Sequence, residues 1–342
     1  MKPLLQAVIF DWAGTMIDFG SRAPVVALCE LFAHAGVPVT EAEARTHMGM
    51  AKRDHIRSLL GLPRVAEAWI KRYGGPAKEA DVNTLFDNVG PMMRIAARTC
   101  SELIPGAAAV ATRLRASGMV LGSCTGYTHE MMEDILPRAA EQGYRPDRVV
   151  CAGDTPHGRP SPLMVWKNLV ELGVWPASTC VKVDDTEVGI AEGLAAGVWT
   201  IGIAASGNGV GLSQHALDAL APAERAARVE RARRTLMNAG AHLVIDTVAD
   251  LPHALLELPI ELPDALRSDD SPPARAPLAT AKVTYDEFGS APRASGVGLG
   301  AVLGSPCSDG KSDQIGLYVS TVNVFGCRVF GALPDASGLP EE

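Results

Sequence analysis

Asp11 is the first residue of the chain whose position suits chemistry. It directly follows the apolar run Ala7-Val8-Ile9-Phe10 and precedes Trp12-Ala13-Gly14-Thr15. A short apolar run of this kind predicts a buried strand, and the loop after a strand of an open α/β sheet is the usual place for a reaction. A carboxylate in such a loop can act as a nucleophile and can bind a hard cation.

A second group of reactive side chains lies in Met48-Gly49-Met50-Ala51-Lys52-Arg53-Asp54-His55. Lys52 stands near the start of a predicted helix, where the helix dipole disfavours positive charge, and desolvation lowers a lysine pKa further. A partly neutral amine can attack a carbonyl carbon. His55 lies three residues on and can share the helix face, so it can transfer a proton or orient the amine. The alternative is a solvated lysine with a locally packed histidine.

Two further segments offer groups that bind phosphoryl oxygens. Thr125 and Gly126 follow the strand-like stretch Met119–Ser123, and a hydroxyl and backbone amides before a helix can hold an anion. Arg159 lies in Gly158-Arg159-Pro160-Ser161-Pro162, where a guanidinium on a stiff loop can clamp oxyanions. The alternatives are a plain strand-to-helix turn and an exposed surface arginine. Tyr127 is expected to pack or to support the binding residues from behind.

The elements that must position these groups alternate along the chain. Strand patterns recur at 6–10, 118–123, 148–151, 179–183 and 198–203, with helical patterns between them that include 129–141 and 162–172. This alternation predicts an α/β fold, with a parallel sheet and helices on both faces. A helical pair at about 213–239 and a short strand at 241–245 are expected to complete the core.

Residues 21–99 interrupt the alternation after the first strand. Helical patterns lie at 24–35, 41–48, 51–60, 64–72 and 79–98. We therefore predict an all-helical insertion at 21–99 between core segments 1–20 and 100–260. Residues 261–342 include Pro-, Ser- and Gly-rich stretches typical of a linker or disorder, and a strand-like piece at 315–330. A disordered appendage, a gene-model artefact and a small functional module all stay open for this tail.

Four ordered segments carry a family resemblance over about residues 5–260: Asp-Trp-Ala-Gly-Thr, Met-Gly-x-x-Lys-x-Asp-His, the stretch 122–128 and Gly-Arg-Pro-Ser-Pro. Together they resemble the phosphonatase family of the haloacid dehalogenase (HAD) superfamily. That family hydrolyses the C–P bond of phosphonoacetaldehyde to acetaldehyde and phosphate. The resemblance implies a Rossmann-like HAD core with an inserted all-helical cap, and a homodimer formed through the cap.

Ala13 separates this resemblance from the HAD phosphatases, which carry at that position an aspartate that protonates an alkoxide leaving group. A carbanion leaving group cannot be protonated in advance, so its electrons need an acceptor. In the family mechanism Lys52 forms an iminium with the aldehyde, which accepts the electrons as an enamine, while Asp11 attacks phosphorus to form an aspartyl phosphate. The resemblance assigns His55 to proton transfer or orientation, places Met48 against the reacting groups, and gives phosphonate binding to Thr125, Gly126 and Arg159.

The resemblance also implies a Mg²⁺ cofactor. The predicted ligands are the carboxylates of Asp11 and Asp185 and the backbone carbonyl of Ala13. Hard cations prefer such oxygen ligands, and without one an anionic carboxylate would repel an anionic phosphonate.

The segment that contains Asp185 departs from the family pattern Gly-Asp-Thr-x-x-Asp. Asp184 replaces its glycine, and Gly189 replaces its final aspartate. Loss of that carboxylate is expected to weaken Mg²⁺ binding unless Asp184 or Glu187 compensates.

Two other functions stay open at this point. The first is a capped HAD phosphatase acting on a small phosphate ester, against which Ala13 argues because no acid remains for the alkoxide. The second is a catalytically impaired HAD homologue with a binding role, which Gly189 and the unusual tail motivate.

Composition limits the partners. The 342 residues, 47% hydrophobic and 20% charged, fit a globular protein of one or two domains. A net charge of −8 argues against nucleic-acid binding, and the N-terminal apolar run is cut by Asp11 and has no cleavage site of a secretory signal. The seven scattered cysteines, without CxxC, fit a reducing compartment. We expect a cytoplasmic enzyme with a small-molecule substrate and no nucleic-acid or membrane partner.

Overall fold

The computed structural model describes residues 3–267 and the backbone of two short strands, Val283–Thr284 and Arg293–Ala294. The chain divides into two units, Met1–Pro277 and Leu278–Glu342. In the second unit the two short strands pair antiparallel. The strand-like piece predicted at 315–330 lies outside the described residues.

A six-stranded parallel sheet forms the centre of the first unit. Its strands have the spatial order β3-β2-β1-β4-β5-β6: Ala7–Phe10 (β1), Val120–Cys124 (β2), Arg148–Val150 (β3), Cys180–Asp184 (β4), Trp199–Ile203 (β5) and Leu243–Ile245 (β6). The chain builds from β1 out to β3 and then returns to the other side of β1. This reversal leaves a switch point at the carboxyl ends of β1 and β4, where open α/β sheets bind ligands.

Both faces of the sheet are buried, as the uninterrupted apolar sequence of β1 predicts. Val8 and Phe10 belong to one hydrophobic cluster, whereas Ala7 and Ile9 belong to another. Because successive side chains of a strand point to opposite faces, the two clusters lie on the two sides of the sheet. The predicted α/β fold is therefore confirmed.

Five helices lie between β1 and the rest of the core and form the predicted helical cap: Ala23–His34 (α1), Glu41–Arg45 (α2), Lys52–Leu60 (α3), Pro63–Tyr73 (α4) and Glu79–Thr99 (α5). Helix α2 begins with a capping box at Thr40. The Thr40 backbone N–H donates to Glu43 Oε2 at 2.8 Å, and the Glu43 N–H donates to Thr40 Oγ1 at 3.2 Å.

The helix predicted at 41–48 ends earlier, at Arg45. His47 and Gly49 have φ angles of +59° and +91°, which a helix does not allow. A Cβ at Gly49 would also lie 2.5 Å from Thr186 Oγ1. The segment around Met48 is therefore a loop that passes close to the core before α3 begins.

The remaining helices cover the sheet and follow in chain order: Ala107–Ala116 (α6), His129–Met132 (α7), Ile135–Glu141 (α8), Leu163–Leu172 (α9), Glu187–Ala196 (α10), Gln214–Asp218 (α11), Pro222–Asn238 (α12), Leu251–Leu255 (α13) and Asp264–Arg267 (α14). Short 3₁₀ turns lie at Ala177–Thr179 and Val248–Asp250. Among the described residues, none of the helices combines the length and the hydrophobicity that a bilayer crossing requires.

The packed chain continues beyond residue 260. Ile260, Leu262 and Leu266 are buried, and the Leu5 backbone N–H donates to the Glu261 carbonyl at 2.8 Å. The packed core therefore runs at least to Leu266. The domain boundaries drawn from the sequence stay predictions.

Candidate active site

A cleft lies at the carboxyl ends of the central strands, facing the start of α3. It contains all the predicted site residues except His55. The cap contributes Met48 and Lys52. The core contributes Asp11, Ala13, Thr125, Gly126, Arg159 and Asp185.

Asp11 lies in the first turn after β1 and is held there by a hydrogen bond from its backbone N–H to the Val183 carbonyl, at 2.9 Å. Its carboxylate is buried, and Arg159 Nη1 lies 2.8 Å from Asp11 Oδ1. Burial and the charge of Asp184 raise the pKa of Asp11 to about 6, although Arg159 and Lys182 oppose the shift. A crowded, paired carboxylate occupies the position predicted for the nucleophile.

Asp11, Asp184 and Asp185 form a cluster whose carboxylate oxygens lie within 4.8 Å of one another. Asp185 Oδ2 accepts a hydrogen bond from the Asn208 backbone N–H at 2.7 Å, whereas Asp185 Oδ1 is buried without a hydrogen-bond partner. Burial, followed by the charges of Asp11 and Asp184, raises the pKa of Asp185 well above its usual value. A divalent cation would relieve this repulsion and satisfy the orphaned oxygen, so the residues fit such an ion.

Asp184 accounts for the missing side chain at position 189. A Cβ added to Gly189 would lie 2.0 Å from Asp184 Cγ, so the Asp184 carboxylate fills the space that a side chain there would need. Glu187, the other residue considered as a replacement, is exposed in the first turn of α10 and lies outside the carboxylate cluster. The structure therefore groups Asp184, and not Glu187, with Asp11 and Asp185.

Arg159 is buried, so the alternative of an exposed surface arginine is wrong. Its Nη2 donates to the Cys124 carbonyl at 2.7 Å, and its Nε donates to Glu192 Oε2 at 3.0 Å. The guanidinium thus contacts Asp11 through Nη1. Its Nη2 is held by the carboxyl end of β2, and its Nε is held by helix α10.

Arg159 is also one member of a closed ring of alternating charges, which we call the charge ring. Glu192 Oε2 lies 3.0 Å from Arg159 Nε and 3.5 Å from Lys182 Nζ. Asp184 Oδ2 lies 2.7 Å from Lys182 Nζ and 3.5 Å from Arg159 Nη2. All four side chains are at most 1% exposed, so the ring is a buried, electrically neutral unit. Asp11 and Asp185 remain as two carboxylates outside it.

Lys52 is the first residue of α3 and is only 2% exposed, so the alternative of a solvated lysine is wrong. Its Nζ lies 5.2 Å from the centre of the Tyr127 ring. Burial lowers the pKa of Lys52 to about 8; the nearby Asp11 charge opposes this shift and Arg159 adds to it. The cleft therefore contains an amine that is partly neutral near physiological pH.

His55 lies three residues after Lys52 on α3 and does not line the cleft. It is completely buried, and burial followed by the charge of Lys52 lowers its pKa to about 3. The ring is therefore a neutral imidazole at physiological pH. Its predicted part in proton transfer stays a prediction.

The turn after β2 contacts the cap as well as the cleft. Thr125 Oγ1 accepts a hydrogen bond from the Tyr127 backbone N–H at 3.1 Å. A Cβ at Gly126 would lie 2.6 Å from the Met50 carbonyl oxygen, so glycine permits the cap loop to approach. Tyr127, expected to pack or to support the binding residues from behind, lines the cleft, and its hydroxyl is buried without a hydrogen-bond partner.

Arg45 fastens the cap to the core. Its Nη1 donates to the Gly20 carbonyl at 3.0 Å and to Asn208 Oδ1 at 3.1 Å, and its Nη2 donates to the Gly211 carbonyl at 2.9 Å. Asn208 in turn donates to Asp185, so one cap side chain connects to the carboxylate cluster through a single residue. Sequence reasoning missed this link because its members are far apart along the chain.

Comparison with known proteins places the chain in a family. The family model of the haloacid dehalogenase-like hydrolases matches residues 5–197. The chain belongs to this family of hydrolases.

Among curated proteins, the chain is similar to a phosphonoacetaldehyde hydrolase of Paraburkholderia phytofirmans, with 51% identity over 75% of this chain and 97% of the relative. It is also 48% identical to a phosphonoacetaldehyde hydrolase of Hahella chejuensis, over 73% of this chain and 85% of the relative. These matches confirm the family resemblance expected from the four sequence segments.

Solved structures agree with this placement. The crystal structure of a phosphonoacetaldehyde hydrolase-like protein from Oleispira antarctica is 45% identical, with a TM-score of 0.73 over 77% of this chain and 93% of that one. A hydrolase from Pseudomonas syringae, 18% identical, matches with a TM-score of 0.55 over 74% of this chain and 99% of that one, and shows the fold alone.

Proposed function

We propose that this protein hydrolyses the C–P bond of phosphonoacetaldehyde to acetaldehyde and phosphate. The observation that carries the proposal is a buried, partly neutral Lys52 in the same cleft as Asp11 and Arg159, with alanine at position 13. Relatives of that name, up to 51% identical over most of this chain, support the choice of substrate.

The reaction begins at Lys52. Its neutral amine attacks the aldehyde carbon and, with loss of one water molecule, forms an iminium. Arg159, together with the hydroxyl and backbone amides at Thr125 and Gly126, holds the phosphonate oxygens. Met48, on the loop before α3, limits the space beside the reacting carbon.

Asp11 then attacks phosphorus and forms an aspartyl phosphate. As the C–P bond breaks, its electron pair moves into the iminium and gives an enamine, so no acid is needed at Ala13. Water hydrolyses the aspartyl phosphate and releases phosphate. The enamine takes a proton at carbon, and a further water molecule hydrolyses the imine to acetaldehyde and regenerates Lys52. One water molecule is consumed overall.

We assign the divalent cation to Mg²⁺, held by the carboxylates of Asp11 and Asp185 and the backbone carbonyl of Ala13. Asp184 lies beside this site as a third carboxylate, while its own charge is matched by Lys182 and Arg159 in the charge ring. Because the charge ring is neutral, Asp11 and Asp185 leave two negative charges, which a divalent cation balances. When bound, the ion lowers the repulsion between Asp11 and the anionic phosphonate.

A phosphatase with a phosphate-ester substrate would need a proton donor for its alkoxide, and Ala13 offers none. Phosphate release from phosphonoacetaldehyde and from p-nitrophenyl phosphate, measured with Mg²⁺, separates the two activities. We expect turnover of the phosphonate, abolished by Lys52→Arg and unaffected by Lys71→Arg on the exposed face of α4. Turnover of the ester that survives Lys52→Arg would favour the phosphatase. No turnover of either at saturating Mg²⁺ would favour a binding homologue.

We further propose a cytoplasmic homodimer formed through the cap. Two exposed apolar residues support the dimer: Val26 on α1 and Ile95 on α5. These two helices pack on each other. Light scattering after size exclusion, with Ile95→Glu as the disrupting variant, tests it. A monomeric wild-type protein at micromolar concentration would contradict it.

A further inference from the structure

Glu192, like Lys182, is a member of the charge ring with no place in the proposed chemistry. It is completely buried on α10 and does not line the cleft. Helix α10 comes very close to the sheet beside it: a Cβ at Gly193 would lie 2.6 Å from Thr200 Cγ2 and 3.1 Å from Lys182 Cβ. This close approach brings the carboxylate to the side of Arg159 that faces away from the cleft.

The contacts of Arg159 differ from edge to edge. Nη1 faces the cleft, where it contacts Asp11 at 2.8 Å, and Nη2 donates to the Cys124 carbonyl. The Nε–H points away and meets Glu192 Oε2 at 3.0 Å. A planar guanidinium is fixed in orientation when acceptors hold two of its edges. The remaining Nη1 edge faces the cleft, where it already meets Asp11 and lies 3.5 Å from the Gly49 carbonyl oxygen.

We propose that Glu192 is a positioning residue, which holds Arg159 from behind so that its Nη1 edge faces the phosphonate. The proposal rests on the function of Arg159 proposed above. Lys182 completes the arrangement because it sits between Glu192 and Asp184, 3.5 Å and 2.7 Å from their oxygens, and keeps the two carboxylates from repelling each other. The orientation of Arg159, which holds the phosphonate, is thus set by Glu192 on helix α10, although Glu192 does not line the cleft.

Glutamine at position 192 preserves the shape of the side chain and removes its charge. In the structure Glu192 Oε2 alone meets both Arg159 Nε and Lys182 Nζ, whereas Oε1 is buried without a hydrogen-bond partner. An amide oxygen in the place of Oε2 contacts both cations without a negative charge. Arg159 then keeps an acceptor at Nε but loses the negative charge that strengthens this contact and holds its orientation. Glu192→Asp keeps the negative charge but, with a shorter side chain, moves it away from Arg159 Nε. The two variants therefore separate the effect of the charge from the effect of side-chain length.

The first test is binding of inorganic phosphate in the presence of Mg²⁺, measured by calorimetry. We expect Glu192→Gln and Glu192→Asp to weaken phosphate binding and to raise KM by about tenfold, the effect of losing one charge-assisted hydrogen bond. Glu141→Gln, an exposed glutamate on α8, should leave both unchanged. Borohydride trapping of acetaldehyde on Lys52 needs no phosphonate clamp, so Glu192→Gln should retain it. A circular dichroism spectrum and a melting temperature like those of the wild type would show that the variant is folded.

A double-mutant cycle with Arg159→Lys tests whether Glu192 acts through Arg159. Lysine has no Nε–H in a guanidinium plane, so adding Glu192→Gln to Arg159→Lys should cost little more than Arg159→Lys alone. Additive losses in phosphate affinity, or wild-type affinity in both single variants at Glu192, would overturn the proposal. A wild-type protein that does not turn over phosphonoacetaldehyde would overturn the proposed function instead.

Discussion

The carboxylate of Asp184 and the bare Cα of Gly189 fit together: a Cβ at position 189 would lie 2.0 Å from Asp184 Cγ. The two positions can therefore hold one carboxylate between them. The sequence lacks a carboxylate at position 189. In the structure the carboxylate of Asp184, at the end of β4, occupies that space.

This relationship predicts the behaviour of swapped variants. Gly189→Asp alone should lower the melting temperature and weaken Mg²⁺ binding about tenfold, because overpacking by a side chain costs about 1–3 kcal/mol and displaces Asp184. The double variant Asp184→Gly/Gly189→Asp should recover much of the Mg²⁺ affinity, measured by calorimetric titration. Tighter Mg²⁺ binding by the single variant, at an unchanged melting temperature, would show that the two positions do not share the space.

The buried Lys52 should lower the free energy of unfolding, although the proposed reaction depends on its amine. At pH 7 its amine is mostly protonated in both the folded and the unfolded chain, and burial lowers its pKa from 10.5 to about 8. Lys52→Met should abolish turnover and raise the free energy of unfolding by up to about 3 kcal/mol at pH 7. Denaturant unfolding measures the gain, and Lys71→Met on the exposed face of α4 is the control.

The stability gain of Lys52→Met should also depend on pH in a defined direction. Between about pH 8 and pH 10.5 the folded amine has lost its proton while the unfolded amine still binds one. Wild-type stability therefore rises with pH in this range, and the difference between the two proteins shrinks. A difference that grows above pH 8 would mean that the amine is not desolvated.

Imine formation should follow the same titration. Trapping of acetaldehyde on Lys52 should increase with pH and level off above about 8, since only the neutral amine attacks. The charge of Asp11 raises the pKa of Lys52, so Asp11→Asn should move the midpoint to lower pH while phosphate release is lost. A midpoint that stays near 10.5 in both proteins would contradict the environment described for Lys52.

Arg45 should control closure of the cap. Its hydrogen bonds to Gly20, Asn208 and Gly211 join α2 to the core, so Arg45→Ala should loosen the closed state and lower kcat/KM about tenfold. Steady-state kinetics measure this loss, and limited proteolysis should show faster cleavage of the cap linkers. Arg64→Ala, which breaks an exposed ion pair with Glu43 on the same cap, should change neither. Equal effects of both variants would remove any special role of Arg45.

Much of the fold and of the cleft followed from local sequence signals. Each strand was marked by an apolar run, and Asp11 and Thr125 were found because each follows such a run directly. Lys52 was found from its place at the start of a helix inside a recognisable segment. Such signals work because the carboxyl ends of parallel strands meet at one edge of the sheet.

The charge ring could not be found in this way. Lys182 interrupts a buried strand, and Glu192 lies in an Ala- and Gly-rich helix, so each alone is typical of a solvent-facing charge. Glu192 is compensated by Lys182 and by Arg159, which is 33 positions before it in the chain. Lys182 is in turn compensated by Asp184 and Glu192. Charge compensation between distant segments leaves no periodic pattern in the sequence, and the same holds for the contact of Arg45 with Asn208.

The most direct test of the central claim is covalent capture at the amine. The protein is incubated with phosphonoacetaldehyde and borohydride, digested, and mapped by mass spectrometry. We predict one stable adduct on Lys52, absent from Lys52→Arg and accompanied by loss of turnover. An active enzyme that shows no adduct on Lys52, and keeps releasing phosphate in the presence of borohydride, would contradict cleavage through an imine.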